Sequence, residues 1–197
     1  MSAAGRPSAT RRTEPPVTVR RLVPAHGLTT AAIRRAVRQA LGGRPVAALN
    51  VAIVDDAQIA RLHQEYMDDP SPTDVLTFDL RDDADDPAVE GEIVVSADTA
   101  YREARRRRLE PSEELTRYII HGVLHLLGLR DATPQERRRM RREENRILDL
   151  LSGRAAPAER ASLRVRKPEP ARPVQTARTP KSKAGSRRSA GQQRNSL

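Results

Sequence analysis

Two histidines four residues apart, His121 and His125, fall near the end of an apolar run that begins about Leu115. Residues at i and i+4 of a helix share one face a turn apart, so both imidazoles can reach a single metal ion. Gly128 follows the last apolar turn. A glycine there permits the left-handed backbone that ends a helix and reverses the chain, which swings Asp131 back toward the imidazoles as a third ligand. Three protein ligands with an open fourth position describe a catalytic zinc site, whereas structural zinc is usually closed by four ligands, commonly including cysteine. The chain has no cysteine. The expected cofactor is therefore one divalent ion, zinc first, held by His121, His125 and Asp131.

Position 122 is Gly, where the HExxH metallopeptidases carry their glutamate general base. The peptidase reading loses its base while the metal reading stands. Two of the four histidines of the chain lie in this one stretch. No residue nearby declares itself as an independent base, so the catalytic group beyond the metal ligands stays unassigned.

The run from His121 to Asp131 resembles the HGxLHLxGxDH signature of the YbeY family, metal-dependent endoribonucleases of ribosomal RNA maturation. Glu136, Met140, Glu144, Ile147 and Leu148 follow that family's ExxxMxxxExxIL spacing. Upstream, Pro72 to Phe78 resembles its PTDVLSF strand, and Gly91 to Ser96 resembles its GDI-type strand. The order and spacing agree across roughly residues 17–151. The resemblance implies a single-strand-specific endoribonuclease in ribosomal RNA processing and ribosome biogenesis. Its partners would be ribosomal RNA and the ribosome or its small subunit, with no DNA.

Three positions depart from the family pattern. Asp131 stands where a histidine is usual, Arg130 where an acidic residue is usual, and Met67 where an arginine usually follows the tyrosine. Two imidazoles and a carboxylate are a harder ligand set than three imidazoles, which makes manganese more competitive. Met67 removes a natural phosphate-binding group, and Arg130 is the candidate to replace it. These departures keep a second reading open, a non-catalytic ribosome-associated assembly or RNA-binding factor with a structural metal.

The elements that must position these residues follow from pattern. Val17 to Leu22 alternates as an edge strand, and Thr29 or Thr30 caps a helix with Ile33, Val37, Ala40 and Leu41 at its buried stripe. Ala47 to Val54 is apolar on both faces, as a central strand between helix layers is. Asp56 is expected to cap a helix from Ala57 to Met67, on which His63 reads as a solvated or core-edge histidine. Val75 to Phe78 and Glu92 to Val95 are strands around the acidic loop from Arg81 to Pro87. Asp98 is expected to cap a helix through Arg105–Arg108, read as solvated surface, and Ser112 to cap the metal-site helix. A last helix from Pro134 buries Met140, Ile147, Leu148 and Leu151, and its arginines Arg137–Arg139, Arg141 and Arg142 are expected to pair with glutamates along it. The fold class is α/β (α+β): a single sheet of about four strands packed with helices, with the metal site on a buried helix and the following turn.

Residues 1–15 read as a disordered leader, 16–151 as the domain, and 152–197 as a disordered basic tail. Residues 151–197 hold 12 of the 36 Lys and Arg but 2 of the 26 Asp and Glu, an excess equal to the whole net charge of +10. Residues 1–150 are then neutral overall, so the high pI belongs to the tail, which is suited to salt-sensitive RNA contact. The N-terminus lacks an apolar stretch of signal-peptide length and no run is long enough to cross a bilayer. A soluble cytoplasmic protein without membrane contact is expected.

Overall fold

A computed structural model describes residues 17–83 and 86–154. The expected leader, and the tail beyond Arg154, lie outside the described residues. The elements are β1 (Val17–Arg21), α1 (Thr30–Leu41), β2 (Val46–Val54), α2 (Asp56–Met67), β3 (Val75–Asp79) and β4 (Val89–Ser96), followed by α3 (Ala97–Arg107), α4 (Pro111–Leu126) and α5 (Pro134–Ser152). They form one four-stranded sheet in the order β1-β2-β4-β3. β1 and β4 run parallel to β2, and β3 returns antiparallel to β4. The α/β expectation, the central place of β2 and the edge place of β1 all hold.

Strand periodicity divides the core between two faces. Leu49, Val51, Ile53, Ile93 and Val95 pack with α1, α3, α4 and α5 on one side. Ala52, Val54, Leu76, Phe78 and Val94 pack with Ile59, Leu62 and Tyr66 of α2 on the other. Leu115, Ile119, Ile120 and Val123 of α4 are wholly buried. Each such side chain contributes about 1.5–3 kcal/mol relative to exposure, which makes α4 the anchor of the larger core. In α5, Met140 and Ile147 are buried as expected, Leu148 and Leu151 are half-buried, and Leu150 completes the stripe.

Helix α4 lies unusually close to the sheet at Gly122. A Cβ there would sit 2.7 Å from Ile93 Cγ2 and 3.2 Å from Thr77 Oγ1. Position 122 therefore faces packed strand and has no room for a general-base carboxylate, which removes the peptidase reading on steric grounds. Gly122→Ala should cost about 1–3 kcal/mol of stability, read as a lower denaturant midpoint, since it overpacks a rigid contact. An unchanged midpoint would show that the helix yields freely.

Three helix caps differ from expectation. Asp55, not Asp56, caps α2 by accepting from Gln58 N at 2.7 Å, and Ser96, not Asp98, caps α3 by accepting from Thr99 N at 3.0 Å. α4 begins with Pro111 at its first turn and no side-chain cap, leaving Ser112 inside the helix. The Glu110 carbonyl takes that role by accepting from Glu113 N at 2.9 Å. Asp56 and Asp98 are occupied across the α2–α3 boundary instead. Asp56 accepts from Ser96 Oγ at 2.6 Å, Thr99 Oγ1 at 2.9 Å and the Arg102 guanidinium, while Asp98 Oδ2 accepts from Asp56 N at 3.1 Å. Burial pushes the Asp56 carboxyl up, but the hydrogen bonds from Arg102, Ser96 and Thr99 together outweigh it and hold it below the ordinary value. Its folded pKa being the lower one, its stabilisation is present above the ordinary carboxylate range and is lost as pH falls through the depressed value. Asp56→Asn should accordingly flatten the acid limb of a stability-against-pH curve. An unaltered limb would assign that limb to other carboxylates.

Candidate metal centre

His121 and His125 stand a turn apart on α4 beside the start of β3, with side chains 18% and 20% exposed. The turn after α4 is built as the spacing requires. Leu127 N donates to Val123 O at 3.0 Å, Gly128 N to His125 O at 2.8 Å and Leu129 N to Leu124 O at 3.0 Å, with Gly128 at φ 87°. Arg81, held by Asp79, also donates to the Leu126 carbonyl at 3.3 Å and helps close the helix end. The reversal brings Asp131 Oδ2 to 3.6 Å from His121 Nε2 and 3.9 Å from His125 Nε2. The two Nε2 atoms are 2.9 Å apart, and ligand atoms of all three residues lie within 4.8 Å of one another.

The hydrogen bonds behind the imidazoles decide what lies between them. His125 Nδ1–H donates to the Leu129 carbonyl at 2.9 Å, an acceptor that leaves no choice of tautomer. His121 Nδ1–H donates to Glu144 Oε1 at 2.8 Å. Both Nε2 lone pairs then point at each other across 2.9 Å, with a carboxylate oxygen close to both. Facing lone pairs at that distance repel unless a cation joins them. A proton can do so, and a divalent ion does so while also satisfying Asp131, so the residues fit a metal.

The electrostatics agree. Burial pulls the His121 imidazole down, but the hydrogen bond and charge of Glu144, helped by Asp74 and Asp131, carry it above the ordinary histidine value. His125 is held below that value, by burial first and then by the neighbouring His121 charge. The pair therefore resists a second proton. Glu144 is itself buried with a side chain 6% exposed, and it also accepts from Arg117 Nη1 at 3.0 Å. Burial raises its carboxyl, and the bonds from His121 and Arg117 outweigh that and keep it ionised.

Two cavities meet over the triad. The larger, about 770 Å³, runs between α4 and α5 and is walled by Arg107, Arg117, Arg137, Arg138, Arg141 and Arg142. The smaller, about 390 Å³, opens beside β3 and includes His63, Met67, Thr77, His125 and Arg130. Asp74, His121 and Asp131 line both.

His63 is half-buried, in keeping with a core-edge residue, and lines the smaller cavity with Nδ1 bonded to the Ser71 carbonyl at 2.8 Å. Arg130 is exposed and shares that cavity with Met67. Of the α5 arginines, Arg141 pairs along the helix with Glu144 at 3.8 Å as expected, whereas Arg137 donates to the carbonyls of Asp131 and Ala132. Arg138 and Arg142 make no ion pair among the described residues, because no glutamate stands three or four residues from either along the helix. Arg105–Arg108 are all exposed, as expected of solvated surface, but the helix ends at Arg107. Arg108 is the left-handed cap of α3, Arg106 and Arg107 pair with Glu103, and Arg107 also reaches the wholly buried Glu114 at 2.7 Å. Sequence pattern alone assigned no role to Glu144 or Asp74. An acidic residue on the same buried stripe as Met140 and Ile147 was the available signal for Glu144, and for Asp74 it was its place in the Pro72 to Phe78 stretch, which by itself assigns no role.

The comparison with known proteins follows the same residues. The family model described as "Endoribonuclease YbeY" matches residues 25–152. The chain is 37% identical over 133 residues to "Endoribonuclease YbeY" of Thermobifida fusca, covering 64% of this chain and 86% of that one. It is 39% identical over 132 residues to the protein of the same description from Beutenbergia cavernae, covering 63% and 88%. A solution structure from Thermotoga maritima is 26% identical with a TM-score of 0.49, covering 70% of this chain and 91% of that one. The matched span takes in the helix that bears both imidazoles, the turn that returns Asp131 and the helix that supplies Glu144, and the chain belongs to the YbeY endoribonuclease family.

Proposed function

We propose that this protein is a metal-dependent endoribonuclease that cuts single-stranded RNA, with precursor ribosomal RNA as its substrate and the ribosome or its small subunit as its partner. The observation that carries the reading is the pair of facing Nε2 atoms at the junction of an arginine-walled groove. His121, His125 and Asp131 hold the ion, and zinc is the first choice for two imidazoles and a carboxylate. A bound divalent ion supplies Lewis acidity at the phosphoryl group and makes a coordinated water more acidic. Glu144 and the Leu129 carbonyl hold the two imidazoles in the tautomer that presents Nε2. Arg138 and Arg142, free of ion pairs among the described residues, face the groove and bind backbone phosphates. The fold body is neutral overall, yet its acidic partners are turned inward and its cations line this face. A cytoplasmic location is part of this proposal, and no described helix is long and apolar enough to cross a membrane.

The test is cleavage of single-stranded and ribosomal RNA by purified, zinc-loaded protein, with duplex RNA and DNA as controls. Arg138→Ala combined with Arg142→Ala should weaken RNA binding at all sequences and lower the salt slope by roughly 0.7 for each phosphate that is no longer neutralised. Equal cleavage of all four substrates by wild type would sink the single-strand assignment. An unchanged salt slope in the double variant would move the phosphate track elsewhere.

A further inference from the structure

Within the proposed RNA cleavage, on which this inference rests, the geometry points to Asp74 as the general base that takes the proton of the attacking hydroxyl. Asp74 stands where the two cavities join and lines both together with His121 and Asp131. Its position is fixed from several sides. Asp74 Oδ1 accepts from Val75 N at 2.9 Å and from Thr73 Oγ1 at 3.2 Å, and its carbonyl accepts from Ser96 N at 3.0 Å. Those bonds leave Oδ2 without a hydrogen-bond partner among the described residues. A carboxylate oxygen held this way keeps its lone pairs for a substrate or water in the groove.

Elimination leads to the same group. Of the other carboxylates lining the two cavities, Asp131 is placed as a metal ligand and Glu144 is committed to His121 and Arg117. Glu114 has no exposed surface and is bonded to Arg107. His63 lines only the smaller cavity and its Nδ1 is bonded to the Ser71 carbonyl, whereas Asp74 lines both cavities. Asp74 is thus near the reacting centre yet outside the ligand triad.

The step balances simply. As the oxygen of water or of a ribose 2′-hydroxyl bonds to phosphorus, its proton passes to Asp74 Oδ2. The bond from phosphorus to the leaving ribose oxygen breaks, that oxygen keeps the electron pair and takes a proton from solvent, and Asp74 returns its own proton to solvent.

Asp74→Asn is the informative variant, because the amide oxygen still accepts from Val75 N and Thr73 while the basic oxygen is lost. With the full-length zinc-loaded protein, kcat on single-stranded RNA should fall about 10²–10⁴-fold, with metal content, RNA Kd and melting temperature close to wild type. Asp74→Ala should fall as far and regain part of its rate in added formate, which supplies a carboxylate to the vacated space. Wild-type rates in the Asn variant, a parallel loss of metal or RNA binding, or no recovery of the Ala variant by formate would each overturn the assignment. A wild type that cleaves no RNA overturns the proposed function as well, whereas a cleaving wild type matched by Asp74→Asn overturns the assignment of Asp74 alone.

Discussion

His125→Ala should purify with little metal where the wild type carries close to one divalent ion per chain, and its RNA cleavage should disappear with the metal. Loss of an outer-shell partner typically costs about 10–100-fold in metal affinity, and removing a direct ligand must exceed that. The reason is specific to this site. With one imidazole gone, two of the three grouped ligand residues, His121 and Asp131, are left. A thermal readout separates binding from folding: a chelator should lower the melting temperature of the wild type and leave that of His125→Ala in place, because only the native wild type gains stability from the ion. Full metal occupancy in a His121→Ala/His125→Ala double variant would sink the centre altogether.

Glu144→Ala carries the second large effect, and it acts in two ways. It takes the Glu144 carboxylate from Arg117, whose side chain is 12% exposed. Arg117 keeps Asn145 Oδ1 at 2.8 Å and Glu114 at 3.8 Å, so the loss should fall below about 3–5 kcal/mol, the cost of leaving a buried charge with no partner. It also releases the His121 ring, because Nδ1 loses the acceptor that fixed its tautomer, so metal affinity should fall about 10–100-fold. The two consequences come apart when Arg117→Met is added. Removing both charges should recover much of the stability, while the metal affinity stays low because His121 is still unsupported. If denaturant unfolding placed Glu144→Ala at the wild-type midpoint, the carboxylate would be a surface group in solution and the assigned support role would be wrong.

Much of the site was legible along the chain because it is local. Two histidines a turn apart, a glycine past the last apolar turn and an acidic residue beyond it obey rules of helix geometry that need no other element, and the structure brings His121, His125 and Asp131 together. The central place of β2 was equally legible, since burial on both faces writes itself as a continuous apolar run. The helix starts were less so. At Asp55 and Asp56, and again at Ser96 and Asp98, two capping residues compete within a turn, and the choice is made by the contact between α2 and α3.

Only the tertiary structure decided what surrounds the triad. Glu144 is 23 residues from His121 and Asp74 is further away, just before β3, so their convergence depends on how α5 and β3 pack against α4. The charge of the body was misleading for the same reason. A neutral sum does not say which charges are turned inward, and here Glu114 and Glu144 are drawn into the interior while Arg138 and Arg142 are left facing the groove. Sequence spacing determined which side chains could reach one ion, because those distances lie within a helix and its turn. The packing of separate elements determined the groove, the support behind His121 and the carboxylate at the cavity junction, because burial and long-range proximity are properties of the folded chain alone.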